Sequence, residues 1–187
     1  MESSVEIRDA IERIQNEIAG VVSEADLDGA DALFDAVVAA KRVYVTGEGR
    51  SGLVSRTFAM RLVHLGSTAY VCGDTVTPAI GPDDLCIACS ATGETPITCH
   101  RALVSHQVGS TVAAIVAVSD STLGAEADIS IALPAPTKSC CKNRSAQFGS
   151  TLFEQSLLVF LDAMVLLLIE RQDASHACMS AKHANLE

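Results

Sequence analysis

Two short segments of this chain carry the residue types that bind an anion. Ser90-Ala91-Thr92-Gly93-Glu94-Thr95 puts three hydroxyls into six residues, and Gly93 lets a ligand come close to the backbone. The segment lies between an apolar run and a helical pattern. Amides at a helix start carry partial positive charge and free donors, so a phosphate fits there without a lysine. The bland alternative is an ordinary helix cap, Thr92 with Thr95. Upstream, Gly47-Glu48-Gly49-Arg50-Ser51-Gly52 has G-x-G-x-x-G spacing, again between a strand pattern and a helix pattern. It admits three readings. One is a dinucleotide-binding turn, with Asp74 near the end of the next strand as the acid for a ribose. The second is a turn needed only for packing. The third, preferred because the chain leaves little room for a separate substrate domain, is a ligand loop using Gly49, Arg50 and Ser51.

Proton transfer needs a titratable group, and three are candidates. Glu154 opens a long apolar stretch in Gly149-Ser150-Thr151-Leu152-Phe153-Glu154-Gln155. Thr151 and Glu154 have the spacing of a capping box. Alternatively, a carboxylate among Leu152, Phe153 and Leu157 is partly desolvated, which favours a raised pKa and a general base. His64 ends the helix after the first turn and His183 lies in the C-terminal tail; each reads either as a surface histidine or as a second acid–base group. The seven cysteines are odd in number and no secretion signal precedes them, so reduced thiols in a cytoplasmic protein are expected. Cys86 and Cys89 have CxxC spacing, but they sit in an apolar run where a reactive thiol would lack exposure. Cys140 and Cys141, with Lys138, Lys142 and Arg144, read as a solvated loop.

The elements that must position these residues follow from periodicity. Val5, Ile7, Ile11, Ile14, Ile18 and Val21 mark one stripe of an N-terminal helix, with Ser3 and Glu6 at capping-box spacing. A second helix spans about 27–40, with Leu33, Phe34, Val37 and Val38 inward. Nearly all-apolar strands are expected at 43–46, 68–71, 85–89, 112–118 and 128–133, alternating with helices after the two turns and a long helix at about 149–170. Such strands imply a parallel sheet covered on both faces, a three-layer α/β/α sandwich with five strands preceded by N-terminal helices. With 187 residues, no repeat and no linker, one domain is expected, in three parts: helices at 1–40, a core at 43–171 and a tail at 172–187. Of the net charge of −10, the first forty residues supply most: ten acids face only Arg8 and Arg13. No basic face remains to neutralise a nucleic acid. The apolar run Leu157–Ile169, broken by Asp162, falls short of the roughly 20 residues of a membrane span.

Taken together the motifs resemble the SIS (sugar isomerase) family, whose members carry a glycine-rich first turn and a phosphate loop of the S-x-S-G-x-T kind. Here Thr92 stands for the second serine and keeps the hydroxyl. Within the family the 6-phospho-3-hexuloisomerases are the nearest in Gly49–Val54, Ala59–Gly66, Thr77–Ile80, Gly149–Gln155 and the ending His183–Glu187; the likeness runs from Val5 to Glu187. Glu48, the loop 136–146 and Phe148 depart from the pattern. The resemblance implies interconversion of D-arabino-hex-3-ulose 6-phosphate and D-fructose 6-phosphate through an enediol(ate), as in the ribulose monophosphate route of formaldehyde assimilation. It also implies Glu154 as the catalytic carboxylate, assistance from His183 or His64, and a phosphate on Ser90, Thr92, Gly93 and Thr95. No metal or redox cofactor is required by that scheme. A homo-oligomer is expected from the apolar helices, and the resemblance favours a tetramer. Another sugar-phosphate isomerase and a non-catalytic sugar-phosphate-binding module are the alternatives.

Overall fold

The computed structural model describes residues 2–138 and 145–185, with side chains from residue 5 onward. Ser3 as a cap, and Cys140, Cys141, Lys142, Arg144, Leu186 and Glu187, lie outside the described part. Two helices, α1 (Glu2–Ser23) and α2 (Ala30–Ala39), precede β1 (Val43–Thr46). Then come α3 (Gly49–Leu65), β2 (Ala69–Val71), β3 (Leu85–Ser90), α4 (Pro96–Gln107), β4 (Thr111–Val116), α5 (Thr122–Glu126), β5 (Ile129–Ala132), α6 (Thr151–Arg171) and α7 (His176–Ser180). All strand pairs are parallel, in the order β2-β1-β3-β4-β5. The order reverses at β1, so the next strands on either side of it lead away in opposite directions and leave a crevice at the carboxyl ends of β1 and β3.

Alternation along the strands sends side chains to two different cores. Val43, Val45, Leu85, Ile87, Ile115 and Ile131 meet α2, α3 and α6 on one face. Cys86, Ala88, Val112, Ala114 and Val116 meet Ala102 of α4 and Leu123 of α5 on the other. Three of the seven buried residues on this second face are alanines, Ala88, Ala102 and Ala114. This alternation also disposes of the CxxC spacing. Residues three apart on a strand point to opposite faces, so Cys86 and Cys89 belong to different cores. Burial pushes the Cys89 thiol up to about 12. Val38, expected inward, is exposed. At about 100° per residue, Val37 falls between Leu33 and Phe34 while Val38 lies beyond the edge of the stripe.

The helix α6 is 21 residues long, enough by length and composition to cross a membrane. That exceeds the apolar run read from the sequence. Leu152, Phe153, Leu157, Leu161, Met164 and Leu168 are nevertheless buried against the sheet and its neighbours, as in a core helix. Its entry is fixed by α1: the Glu17 carboxylate accepts from Ser145 Oγ at 2.6 Å, Ala146 N at 2.8 Å and Gln147 Nε2 at 3.3 Å. The stripe on α1 is covered only toward its end, by way of Ile18 and Val21; Val5, Ile7 and Ile11 are exposed.

The start of β1 is tied to the start of β3 by Arg42, whose Nε donates to Asp84 Oδ1 at 2.9 Å, while Gly81 N donates to Asp84 Oδ2 at 2.7 Å. Arg42 and this amide hold the Asp84 carboxyl below its ordinary value despite burial. A depressed pKa adds stability above the unfolded carboxylate range, about 3.9, and that stability is lost as pH falls through the folded value. The thermal midpoint is therefore expected to fall on acidification below about pH 4. Asp84→Asn should lower the midpoint at pH 7 and flatten the acid slope; thermal melts from pH 7 to pH 3 check both.

Candidate functional site

The crevice at the carboxyl ends of β1 and β3 holds a hollow of about 360 Å³. Its walls come from three segments that are far apart in the chain. Glu48, Gly49, Arg50 and Ser51 follow β1; Ser90, Thr92 and Thr95 follow β3; Lys138, Phe148, Ser150, Thr151 and Glu154 come from the approach to α6 and its first turn. A second hollow of about 300 Å³ lies between α4 and α5 beside Cys99, Leu103 and Leu123, with no such convergence of hydroxyls and charges.

The loop after β3 is drawn tight by its own side chains. Ser90 Oγ and Thr95 Oγ1 are 3.0 Å apart and hydrogen bonded, and Gly93 N donates to Ser90 Oγ at 3.1 Å. Gly93 has φ +67, and a side chain there would run into Ser121, so only glycine closes this turn. Thr95 occupies the N-cap position of α4 without a side-chain cap bond, and Pro96 follows at the first helical position. Its hydroxyl serves the loop and not the helix. The alternative reading, a Thr92–Thr95 cap, is thus absent; Thr92 Oγ1 instead accepts from Glu94 N at 3.2 Å. Glu94 pins the outside of the loop through Thr122 N at 2.7 Å and Thr122 Oγ1 at 2.8 Å. What results is a set of hydroxyls at the start of a helix, an arrangement suited to an anion.

The turn after β1 is equally close. Gly49, at φ +58, opens α3, and the Gly52 backbone packs so near Gly47 O that no side chain fits between them. Asp74, weighed as a ribose acid, is engaged elsewhere: Arg56 Nη2 donates to its Oδ1 at 2.8 Å. Ser51 is buried, with its carbonyl accepting from Ser55 Oγ. Arg50 is exposed and reaches across the hollow, where its Nε donates to Glu154 Oε2 at 2.5 Å.

Of the two readings of Glu154, the geometry removes the cap. Its carboxylate does not close a capping box. Ser150 is the N-cap, without a side-chain cap bond, and Thr151 Oγ1 donates to Phe148 O at 2.7 Å. Glu154 is buried on its own helix and turned to the hollow, facing a guanidinium and not the purely apolar surroundings that its neighbours suggest. The histidines stand apart from it. His64 is buried in the last turn of α3, with its ring stacked on that of His183 at 5.0 Å between centroids and near Arg61. His64 is not a surface histidine, while His183 is exposed; α3 carries His64 about 22 Å from Gly49 along its axis. Within one chain the expected catalytic group therefore divides: Glu154 joins the hydroxyl loop, and His64 and His183 join each other at the opposite edge of the sheet. Glu48, not singled out from the sequence as a ligand residue, also lines the hollow.

Comparison with known proteins bears on the fold and the lineage. The SIS domain profile matches residues 37–175. A 3-hexulose-6-phosphate isomerase of Bacillus subtilis (strain 168) is 35% identical over 179 residues, which is 95% of this chain and 97% of that protein. A protein of the same name from Mycobacterium gastri is 35% identical over 183 residues, 97% of this chain and 92% of its own length. The crystal structure of a hypothetical protein from Methanococcus jannaschii, for which a 3-hexulose-6-phosphate isomerase function was inferred, has a TM-score of 0.83 at 28% identity, covering 96% of this chain and 99% of that one. The matched span runs from α2 through α6 and so contains both turns and Glu154: the chain belongs to the SIS domain family.

Proposed function

We propose that this protein is a sugar-phosphate isomerase that interconverts D-arabino-hex-3-ulose 6-phosphate and D-fructose 6-phosphate. The observation that carries the reading is the sharing of one hollow by a phosphate-suited hydroxyl loop, Ser90 to Thr95, and a buried carboxylate, Glu154. The names of the Bacillus and Mycobacterium relatives support the choice of substrate. In the proposed reaction the 6-phosphate sits on the loop after β3. Glu154 takes the proton from C2 of the hexulose and returns it to C3, through a 2,3-enediol(ate). Arg50, already beside Glu154, meets the negative charge that develops on the oxygens. The proton that moves between O2 and O3 is assigned to His183, with His64 stacked behind it. Because both lie far from Glu154 in their own chain, they are assigned to the hollow of a neighbouring copy. The exposed Val5, Ile7 and Ile11 of α1 and Leu166 and Leu167 of α6 offer apolar surface for such a homo-oligomer, a tetramer by family resemblance.

The direct test is purified protein with hexulose 6-phosphate, with fructose 6-phosphate followed by a coupled assay. Turnover supports the reading; tight binding of sugar phosphate without turnover would replace it with a binding module. A narrower test concerns the loop. Thr95→Ala removes the partner of Ser90 Oγ and one donor to the phosphate, an interaction made equally in ground and transition states. KM should rise about tenfold with kcat little changed. Steady-state kinetics with an unaltered KM would take the phosphate off this loop.

A further inference from the structure

The hollow has a second carboxylate. Glu48 lies at its edge, in the turn that carries Arg50, and it also borders a neighbouring hollow of about 220 Å³ toward β2. Its side chain is anchored from below. Arg101 Nη1 donates to Glu48 Oε1 at 2.8 Å and to Thr46 Oγ1, the last residue of β1, at 3.2 Å. The path of the guanidinium is cleared by Gly73, at φ +96, where a side chain would collide with Arg101 Nη2. Arg101 belongs to α4, whose N-terminus is the hydroxyl loop: Thr95 is its N-cap. One side chain thus joins the helix behind the phosphate loop to the turn that presents Glu48 and Arg50.

The geometry points to Glu48 as the acceptor for a hydroxyl of the bound sugar, with Arg101 as the residue that positions it. This rests on the proposed sugar-phosphate site and deepens it. An ionised carboxylate has only acceptors, so it suits a neutral sugar carbon chain bearing hydroxyl donors. It also opposes an anion in that part of the hollow, because like charges in a partly desolvated site disfavour the wrong ligand. Selection for the uncharged end of a sugar monophosphate, against a sugar acid phosphate, follows from one residue. Arg101 touches no substrate in this scheme. One nitrogen, Nη1, donates to Thr46 and Glu48 together, while Nη2 occupies the space that Gly73 leaves open.

The experiment uses the full chain with Glu48→Gln, Arg101→Met and the double variant, and two ligands, fructose 6-phosphate and 6-phosphogluconate, titrated by calorimetry beside kinetics. Glu48→Gln is expected to weaken fructose 6-phosphate and raise KM by about tenfold, and to tighten 6-phosphogluconate by about tenfold. Arg101→Met should reproduce the loss for fructose 6-phosphate, and the double variant should be no worse than either single one, since both remove the same contact. Arg101→Gln, which is too short to reach Glu48 and carries no charge, replaces Arg101→Met if the latter does not fold, and carries the same expectation. Unchanged affinity for both ligands in Glu48→Gln, or losses that multiply in the double variant, would overturn the inference. A wild-type protein that binds fructose 6-phosphate but does not isomerise hexulose 6-phosphate would sink the proposed reaction and leave the Glu48 titrations to be judged on their own.

Discussion

Glu154→Gln is expected to lower kcat about a thousandfold while leaving the affinity for fructose 6-phosphate within a few-fold of wild type. The amide keeps the size of the side chain and an oxygen for Arg50, so the first turn of α6 has no reason to rearrange. Arg50 is exposed and rehydrates when its charged partner is lost, which makes the change mild for stability. What disappears, beside the weak exposed ion pair, is acceptance of a carbon-bound proton. The outcome separates this role from its rivals. A capping residue tolerates glutamine, and a pure salt-bridge partner would leave kcat near normal. A Glu154→Gln enzyme with near-normal kcat, measured together with thermal melts and calorimetry, would remove Glu154 from the chemistry.

How far the sequence discloses this arrangement depends on whether a feature is local. The strands are legible because each is a nearly all-apolar run: Leu85 to Ser90 is buried along its whole length. The long helices are legible because their stripes repeat over several turns. The five-residue α5 and α7 escape, since less than two turns cannot establish a period; their one local sign is a serine cap, Ser121 accepting from Gly124 N and Ser175 accepting from Cys178 N. The Cys86–Cys89 spacing misleads for the opposite reason. Read along the chain it is a motif, but in a strand the pleat separates the two thiols.

The site shows the same division. Both turns are visible as short segments with glycine and hydroxyls, and the strand order then brings them to one crevice. The pairings across the hollow are not local. Arg50 meets Glu154 across 104 positions of sequence, and Arg101 meets Glu48 across 53. Nothing near Glu154 foretells a guanidinium, so the apolar neighbours alone suggested a more secluded carboxylate than the one the fold provides. The sequence already places His64 at the end of the helix after the first turn; the stretch around it resembles part of an active site, but the seventeen residues of α3 carry it to the far edge of the sheet.

That separation makes a strong prediction about hybrid assemblies. His183→Ala is expected to lower kcat about a hundredfold, the usual cost of losing one acid–base group. If His183 serves the hollow of a neighbouring copy, two inactive variants should restore each other. In a pair formed from Glu154→Gln and His183→Ala subunits, one hollow has both defects and the other has neither. Random exchange between equal amounts then gives about a quarter of the wild-type sites, with their full turnover rate. The mixture must be allowed to exchange subunits, for example by dilution and reconcentration, and then assayed against each variant alone. A mixture no more active than the sum of its parts, with exchange verified by native mass spectrometry, would return His183 to its own chain. There it lies stacked on His64, and the hollow would need another proton carrier.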